Sequence, residues 1–203
     1  MKTSLKFLCI ALLIVAFVAS ATPGLAVTID FDSLENPTNT MFLVASPYVE
    51  DGFSISTAGN FSCFGQGSSR YAGSAGLFVG SSLDMSVLSG PGVFDLLSIE
   101  LSFLDPAGTS PPVVFTGNLS GGGSVSQTLQ PIGFGFTQFN FNNSFTDLTS
   151  VSWLNGDDTF NAHQFDNIAV RDSAPVPEPT TMLLLGAGIV GLAGARRKFK
   201  KKS

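Results

Sequence analysis

The chain has 203 residues, of which 44% are hydrophobic and 12% are charged, about half the charged fraction of an average soluble domain. Between Val27 and Ala174 there are two basic residues, Arg70 and Arg171, and fourteen acidic ones, a net charge of −12. This excludes nucleic-acid binding, which needs clustered Lys and Arg side chains. Sixteen of the nineteen phenylalanines lie in the same stretch, which excludes a disordered chain.

The first 26 residues predict a secretory signal peptide. Two lysines precede an unbroken apolar run at residues 7–18, a length typical of a signal peptide and short for a membrane span. Small residues at 19–21 and at 24–26 each fit a signal-peptidase site. We expect cleavage after Ala26, with signal peptidase and the secretion machinery as partners, because the second site lies just before the first predicted strand.

Residues 27–172 predict an all-β domain. They contain no convincing amphipathic helix, and short alternating apolar runs are separated by turn residues about every ten positions. We therefore expect a jelly-roll-like antiparallel β-sandwich of eight to ten strands in two packed sheets. Strands are predicted at 27–31, 53–56, 77–79, 96–104, 113–115, 125–129, 151–154 and 165–170, with turns at 50–52, 105–108 and 121–123 and a bulge or turn near 137–138.

The search for catalytic groups in this domain predicts no enzyme. It holds no lysine, one histidine (His163) and one cysteine (Cys63). His163 is expected at the surface or at a strand edge, and Cys63 as a small buried side chain without a neighbouring cation to activate it. Glycoside hydrolysis needs two carboxylates about 5–9.5 Å apart, but no spacing in the sequence singles out a pair, even for Glu50 or Glu100.

Calcium is the cofactor that the sequence could support. Asp157 and Asp158 follow Asn155 and glycine in a turn rich in the oxygen ligands that calcium prefers, although the same residues also suit a solvated turn. By analogy with sugar-binding jelly rolls, a structural calcium joining the first and last strands would use Asp32 and Asp166.

The C-terminal segment has three parts in strict order. Residues 173–179 form a proline-rich spacer, residues 180–195 are apolar and small, and residues 196–203 form a basic tail. The apolar part is short for a transmembrane helix, but snorkelling arginines could extend it. The positive-inside rule then predicts the sandwich outside, one helix across the inner membrane and the tail in the cytoplasm.

This order of motifs resembles the PEP-CTERM sorting domain of exopolysaccharide-producing Gram-negative bacteria. The resemblance rests on Pro177, Glu178 and Pro179, the apolar run after them, and Arg196 and Arg197. It implies recognition by an exosortase, a membrane-embedded cysteine protease-transpeptidase, removal of the helix, and delivery to the cell surface or extracellular matrix.

Three functions remain open for the sandwich. The first is a non-enzymatic component of the cell envelope or polysaccharide matrix. The second is a carbohydrate-binding module with a structural calcium, although Trp153, Tyr48 and Tyr71 are the only tryptophan and tyrosines, and phenylalanine is better suited to a packed core than to a sugar platform. The third is a matrix glycoside hydrolase.

Overall fold

The computed structural model describes residues 25–80, 84–156 and 162–173. The predicted sorting segment, Asp157, Asp158 and all but the end of the predicted signal peptide lie outside these ranges. Gly24–Ser173 forms a compact unit, and all the buried core residues of the described chain belong to it. No helix in the described part of the chain is long and apolar enough to cross a membrane.

The described residues form twelve strands, more than the eight to ten expected, and one 3-10 helix at Asp32–Leu34. The strands are β1 (Ala26–Ile29), β2 (Met41–Val44), β3 (Tyr48–Glu50), β4 (Phe53–Ser56), β5 (Phe61–Phe64), β6 (Leu77–Val79), β7 (Met85–Phe103), β8 (Val113–Leu119), β9 (Ser124–Leu129), β10 (Thr137–Asn140), β11 (Leu148–Leu154) and β12 (His163–Asp172).

All pairings between the described strands are antiparallel, which confirms the all-β sandwich, but the strands form one continuous hydrogen-bonded sheet rather than the two separate sheets expected. The main path runs β2-β5-β6-β12-β7-β11-β8-β9, with β1 on β12, β10 and β4 on β7, and β3 on β4. The 19-residue strand β7 is shared by different neighbours along its length: residues 85–89 pair with β4 and most of β11, and residues 94–103 with β12. β2 and β9 are therefore the two ends of the path.

Local turn chemistry explains two of the predicted turns, each of which forms a hairpin. Asp51 and Gly52 connect β3 to β4 with φ of 48° and 82°, the paired positive values of a tight hairpin turn. Gly122 and Gly123 also have positive φ between β8 and β9, which pair over their whole length. The bulge or turn expected near residues 137–138 lies earlier in the chain: these two residues begin β10, and the irregular residues are 133–136, with Gly135 at φ 99°.

Phenylalanine fills the core, as the composition predicts. Phe165 of β12 is fully buried and contacts the rings of Phe31, Phe61 and Trp153 edge-on, with centroid distances of 6.0, 6.1 and 5.1 Å. Edge-to-face contacts of this kind stabilise beyond the area they bury. Cys63 is also buried, and burial raises the pKa of its thiol to about 12, so it is an inert core residue.

Candidate functional site

The first four residues of β12 are all buried although they alternate in direction, because the strand is covered on both faces. They are His163, Gln164, Phe165 and Asp166. β12 pairs with β1, β6 and β7. This strand therefore brings the predicted ligand Asp166 and the lone histidine of the domain into the interior, three residues apart.

The carboxylate of Asp166 is held by neighbours that are distant in sequence. Ser74 Oγ donates to its Oδ2, and the backbone N–H of Asn167 donates to its Oδ1 at 2.7 Å. Asn167 adopts a left-handed φ of 46° and interrupts the register between β12 and β7. Its side-chain amide donates to Glu100 Oε2 at 2.9 Å, so it links the two carboxylates that face each other across β12 and β7.

No cation among the described residues compensates this acidic group. Burial, together with the negative charges of Glu100 and Asp32, outweighs the hydrogen bonds from Ser74 and Asn167 and raises the pKa of Asp166 to about 7. The two basic residues of the domain are engaged elsewhere: Arg70 pairs with Asp105, and Arg171 pairs with Asp95. At neutral pH the carboxyl of Asp166 is therefore partly protonated.

The structure brings Asp32 and Asp166 into the same neighbourhood but does not assemble a metal centre from the described residues. Asp32 is exposed in the 3-10 helix that follows β1, and β1 lies against β12. Among the described side chains, no three His, Cys, Asp or Glu residues are grouped as metal ligands. Asp157 and Asp158 lie outside the described ranges, so their part of the calcium prediction stays a prediction.

A second acidic centre lies where the chain leaves β1. Glu50 Oε2 accepts hydrogen bonds from Tyr48 Oη at 2.8 Å and from the backbone N–H of Phe31 at 3.3 Å. Burial raises the pKa of Glu50, and a hydrogen bond with Asp30 raises it further. The pKa of Tyr48 is raised to about 12, mainly by burial. Tyr48 thus serves this network and packs on Phe31, with ring centroids 5.2 Å apart.

The predicted surface position of His163 is wrong. His163 is fully buried because β12 pairs with Phe103 of β7 on one side, while its backbone N–H donates to Asn155 O on the other. Neither ring nitrogen has a hydrogen-bond partner, and burial lowers the pKa of the imidazole to about 3. A neutral ring without access to solvent cannot act as a base toward an external substrate.

Trp153 is likewise a core residue. Its side chain is buried, packs against Phe115 and Phe165, and leaves Nε1 without a partner. Tyr71 is half-buried, and its hydroxyl donates to Glu35 Oε1 at 2.7 Å. The aromatic side chains that the sequence offered for sugar stacking are thus occupied, wholly or in part, by internal contacts.

Outside the described residues, a family model for the PEP-CTERM protein-sorting motif matches residues 175–198. The chain carries a PEP-CTERM sorting motif. The match contains Pro177, Glu178, Pro179, Arg196 and Arg197 and confirms the resemblance seen in the sequence. The PEP-CTERM motif indicates an exported, membrane-passing protein that is sorted by an exosortase.

Comparison of the whole chain adds little to this motif. No curated protein matches its sequence. Solved structures similar to it include a lysine-to-alanine mutant of CBM29-2 complexed with cellulohexaose (TM-score 0.42, 11% identity, 74% of this chain and 92% of that one). Another is a family 29 carbohydrate-binding module, with a TM-score of 0.39 and 13% identity over 70% of this chain and 96% of that one. A third is the tandem CBM22 domain of Paenibacillus barcinonensis Xyn10C, with a TM-score of 0.43 and 12% identity over 80% of this chain and 50% of that one. At these values the similarities carry no inference about ligand or site residues.

Proposed function

We propose that this protein is exported through its signal peptide, held transiently in the inner membrane, processed by an exosortase at Pro177-Glu178-Pro179, and delivered to the cell surface or extracellular matrix of a Gram-negative bacterium. The observation that carries the proposal is the sorting motif at residues 175–198. The β-sandwich is the delivered domain, and it acts there without catalysis.

The order of segments supports this route physically. The apolar run at 180–195 is long enough, with snorkelling of Arg196 and Arg197, to hold the proline-rich spacer at the outer face of the membrane. Pro177 and Pro179 favour an extended backbone and cannot donate backbone hydrogen bonds, so they keep Glu178 accessible to a membrane enzyme. The last strand of the sandwich ends at Asp172, directly before the spacer.

The chemistry of the sandwich supports a non-enzymatic role. The usual catalytic side chains of such a domain are withdrawn from solvent: His163 is buried and neutral, Cys63 is buried with a raised pKa, and Asp166 is buried beneath hydrogen bonds from Ser74 and Asn167. These surroundings give the three side chains structural roles in the core.

A second candidate, polysaccharide binding, is favoured by one surface cluster. Glu35 accepts hydrogen bonds from Tyr71 Oη and from Gln66 Nε2 at 2.7 and 2.8 Å. Carboxylate, amide and phenol groups are suited to sugar hydroxyls, and a calcium held by Asp32 and Asp166 would belong to the same proposal.

A glycan array on the Gly24–Ser173 unit tests polysaccharide binding. Competable binding that Gln66→Ala removes supports a binding module, and uniform background contradicts it. Turnover of the bound glycan would instead support the hydrolase.

Sorting is tested by changing Glu178 to Ala in a host that has an exosortase. The expected result is loss of processing and accumulation of the precursor in the membrane fraction. Asp172→Ala is the matched control, because Asp172 is an exposed acid at the end of β12, upstream of the motif, and should leave processing unchanged. Normal processing and surface display of the Glu178 variant would contradict the proposed route.

A further inference from the structure

The strands β4, β7, β11, β8 and β9 present one face without a charged side chain. They lie side by side in this order, with β4 on β7 and the other four along the main path. Directly opposed residues of an antiparallel pair point to the same face, so the registers assign fourteen half-buried or exposed positions to it. We call this surface the hydroxyl face; it consists of Ser54, Ser56, Met85, Val87, Ser89, Val114, Thr116, Asn118, Ser124, Ser126, Thr128, Ser150, Ser152 and Leu154.

The hydroxyl face differs from the rest of the domain in charge and in hydrogen bonding. Nine of its fourteen residues are Ser or Thr, and none is acidic, although the domain holds fourteen acids. Within the described chain, only one of these nine hydroxyls has a hydrogen-bond partner: Ser150 Oγ accepts from Asn118 Nδ2 at 3.0 Å. Each of the other eight can donate one hydrogen bond and accept two, so the face offers a dense set of groups to a polar ligand.

The composition of the hydroxyl face selects the class of ligand. An acidic polymer would be repelled by a domain with a net charge of −12, whose two arginines are already paired with Asp105 and Asp95. The same repulsion opposes a second copy of the chain. Protein interfaces are enriched in aromatic side chains and arginine and depleted in serine, which is the reverse of this surface. An uncharged polymer rich in hydroxyl groups fits the face on each of these counts.

The spacing of the strands suits an extended polysaccharide chain. One row across the face contains Ser126, Thr116, Ser152, Val87 and Ser56, with one residue from each strand. Neighbouring strands lie about 4.8 Å apart, so the five strands span about 19 Å. The step from one strand to the next is close to the length of one sugar unit in an extended chain. A polysaccharide that lies across the strands would therefore meet one residue of the row per sugar.

An apolar row borders these hydroxyls. Val114, Leu154 and Met85 occupy adjacent strands, and their exposed fractions are 52%, 47% and 49%. Sugar rings carry apolar C–H surfaces as well as hydroxyl groups, and the apolar row can cover those surfaces while the Ser and Thr side chains bond the hydroxyls. The hydroxyl face thus matches both kinds of surface that a sugar presents.

We propose that the hydroxyl face binds an uncharged polysaccharide, whose chain lies across β4, β7, β11, β8 and β9. This inference rests on the second candidate function, polysaccharide binding, and assigns that binding to residues other than the Glu35 cluster. Because no aromatic side chain lies on the face, each sugar contributes little and many contacts act together. Long chains therefore bind, whereas short oligosaccharides of the same sugar bind at least tenfold more weakly.

Affinity electrophoresis of the full chain, purified in mild detergent, tests the proposal. Native gels contain hydroxyethylcellulose, dextran or galactomannan, with alginate as the acidic polysaccharide. Ser152→Asp places a charge at the centre of the face, and Ser69→Asp is the matched control at an exposed serine of the loop between β5 and β6. The double variant Thr116→Val with Ser152→Ala removes two neighbouring hydroxyls without adding charge, and it decides the outcome if Ser152→Asp does not fold.

We expect at least one uncharged polysaccharide to retard the protein and alginate to leave its mobility unchanged. Ser152→Asp should weaken the interaction at least tenfold and the double variant at least threefold, while Ser69→Asp has no effect. Equal effects of the two aspartates, an unchanged double variant or equal retardation by alginate overturns the proposal. Loss of binding in Gln66→Ala but not in Ser152→Asp would overturn it in favour of the Glu35 cluster. Absence of retardation by all three uncharged polysaccharides would overturn it together with the candidate function.

Discussion

Two buried titratable side chains of β12, three residues apart, have opposite surroundings. His163 has no hydrogen-bond partner, whereas Asp166 accepts hydrogen bonds from Ser74 and Asn167. Burial nevertheless moves both away from their charged forms: the pKa of His163 falls to about 3 and that of Asp166 rises to about 7. Hydrogen bonds alone therefore do not keep a buried carboxyl ionised when neighbouring acids oppose it.

The two groups shape the pH dependence of folding in opposite directions. His163 takes up a proton near pH 6.5 in the unfolded chain but only near pH 3 in the folded chain. This residue therefore lowers the free energy of unfolding as the pH falls from 6.5 to about 3. The folded chain keeps the proton of Asp166 between its ordinary pKa of 3.8 and about 7, so this residue lowers stability as the pH rises through that window. Their contributions partly cancel between pH 3.8 and 6.5.

Phe165 lies between them and provides the uncharged reference. We expect Phe165→Ala to lower the free energy of unfolding by about 4 kcal/mol, because it removes a fully buried ring and its three aromatic contacts. Urea unfolding between pH 4 and 8 measures it. The loss should be the same at every pH, and a strongly pH-dependent loss would show that the ring controls one of the two titrations.

Replacing His163 with Leu should remove the loss of stability at acid pH. Relative to wild type, the free energy of unfolding of the variant is expected to be higher at pH 4 than at pH 8 by about 3 kcal/mol. The reason is that the unfolded variant no longer binds the proton that the folded core excludes. Unfolding free energies at the two pH values test this. An equal difference from wild type at both values would mean that the imidazole is accessible to protons in the folded domain.

Replacing Asp166 with Asn should remove the loss of stability that accompanies a rise in pH. The amide keeps the shape and cannot ionise. Relative to wild type, the free energy of unfolding of the variant should therefore be higher at pH 8 than at pH 4 by about 4 kcal/mol. Thermal melts of wild type and the Asn variant, with calcium or with a chelator, test whether Asp166 holds a calcium ion. We expect no calcium effect on wild type; a rise in Tm with calcium that the Asn variant lacks would instead establish a cation at Asp166.

The far end of β12 carries a charge that is paired. Burial alone would raise the pKa of Asp95, but hydrogen bonds from Arg171 and Ser173 outweigh it and lower the pKa. Arg171→Met keeps the aliphatic stem and should cost about 1 kcal/mol at pH 7. The loss should shrink as acid protonates Asp95 below its ordinary pKa of 3.8. An undiminished loss at pH 2.5 would assign the effect to packing.

The sequence predicted the elements whose signals are local. The Asp51–Gly52 turn, the hairpin of β8 and β9 and the core role of phenylalanine follow from turn chemistry and alternation. It missed β5 because all four of its residues are buried, which erases alternation, and it began β7 eleven residues late, past a Gly-Pro-Gly stretch that resembles a turn but lies within the strand.

The surroundings of β12 show where sequence inference ends. Asp166 was singled out, but its partners Ser74 and Glu100 lie 92 and 66 positions away, and only the register of β12 on β7 brings Glu100 opposite. The burial of His163 has the same cause, since it depends on pairing with Phe103 rather than on its neighbours in the chain. The sorting motif needed no such pairing, because it is a contiguous segment.

The central claim is that the chain is cut at its sorting motif and that the sandwich is what reaches the surface. Mass spectrometry of the surface-displayed protein from a host with an exosortase tests it most directly. The account predicts peptides covering residues 27–172 and none from residues 180–203. Surface protein that retains the apolar segment and the basic tail in full would contradict it.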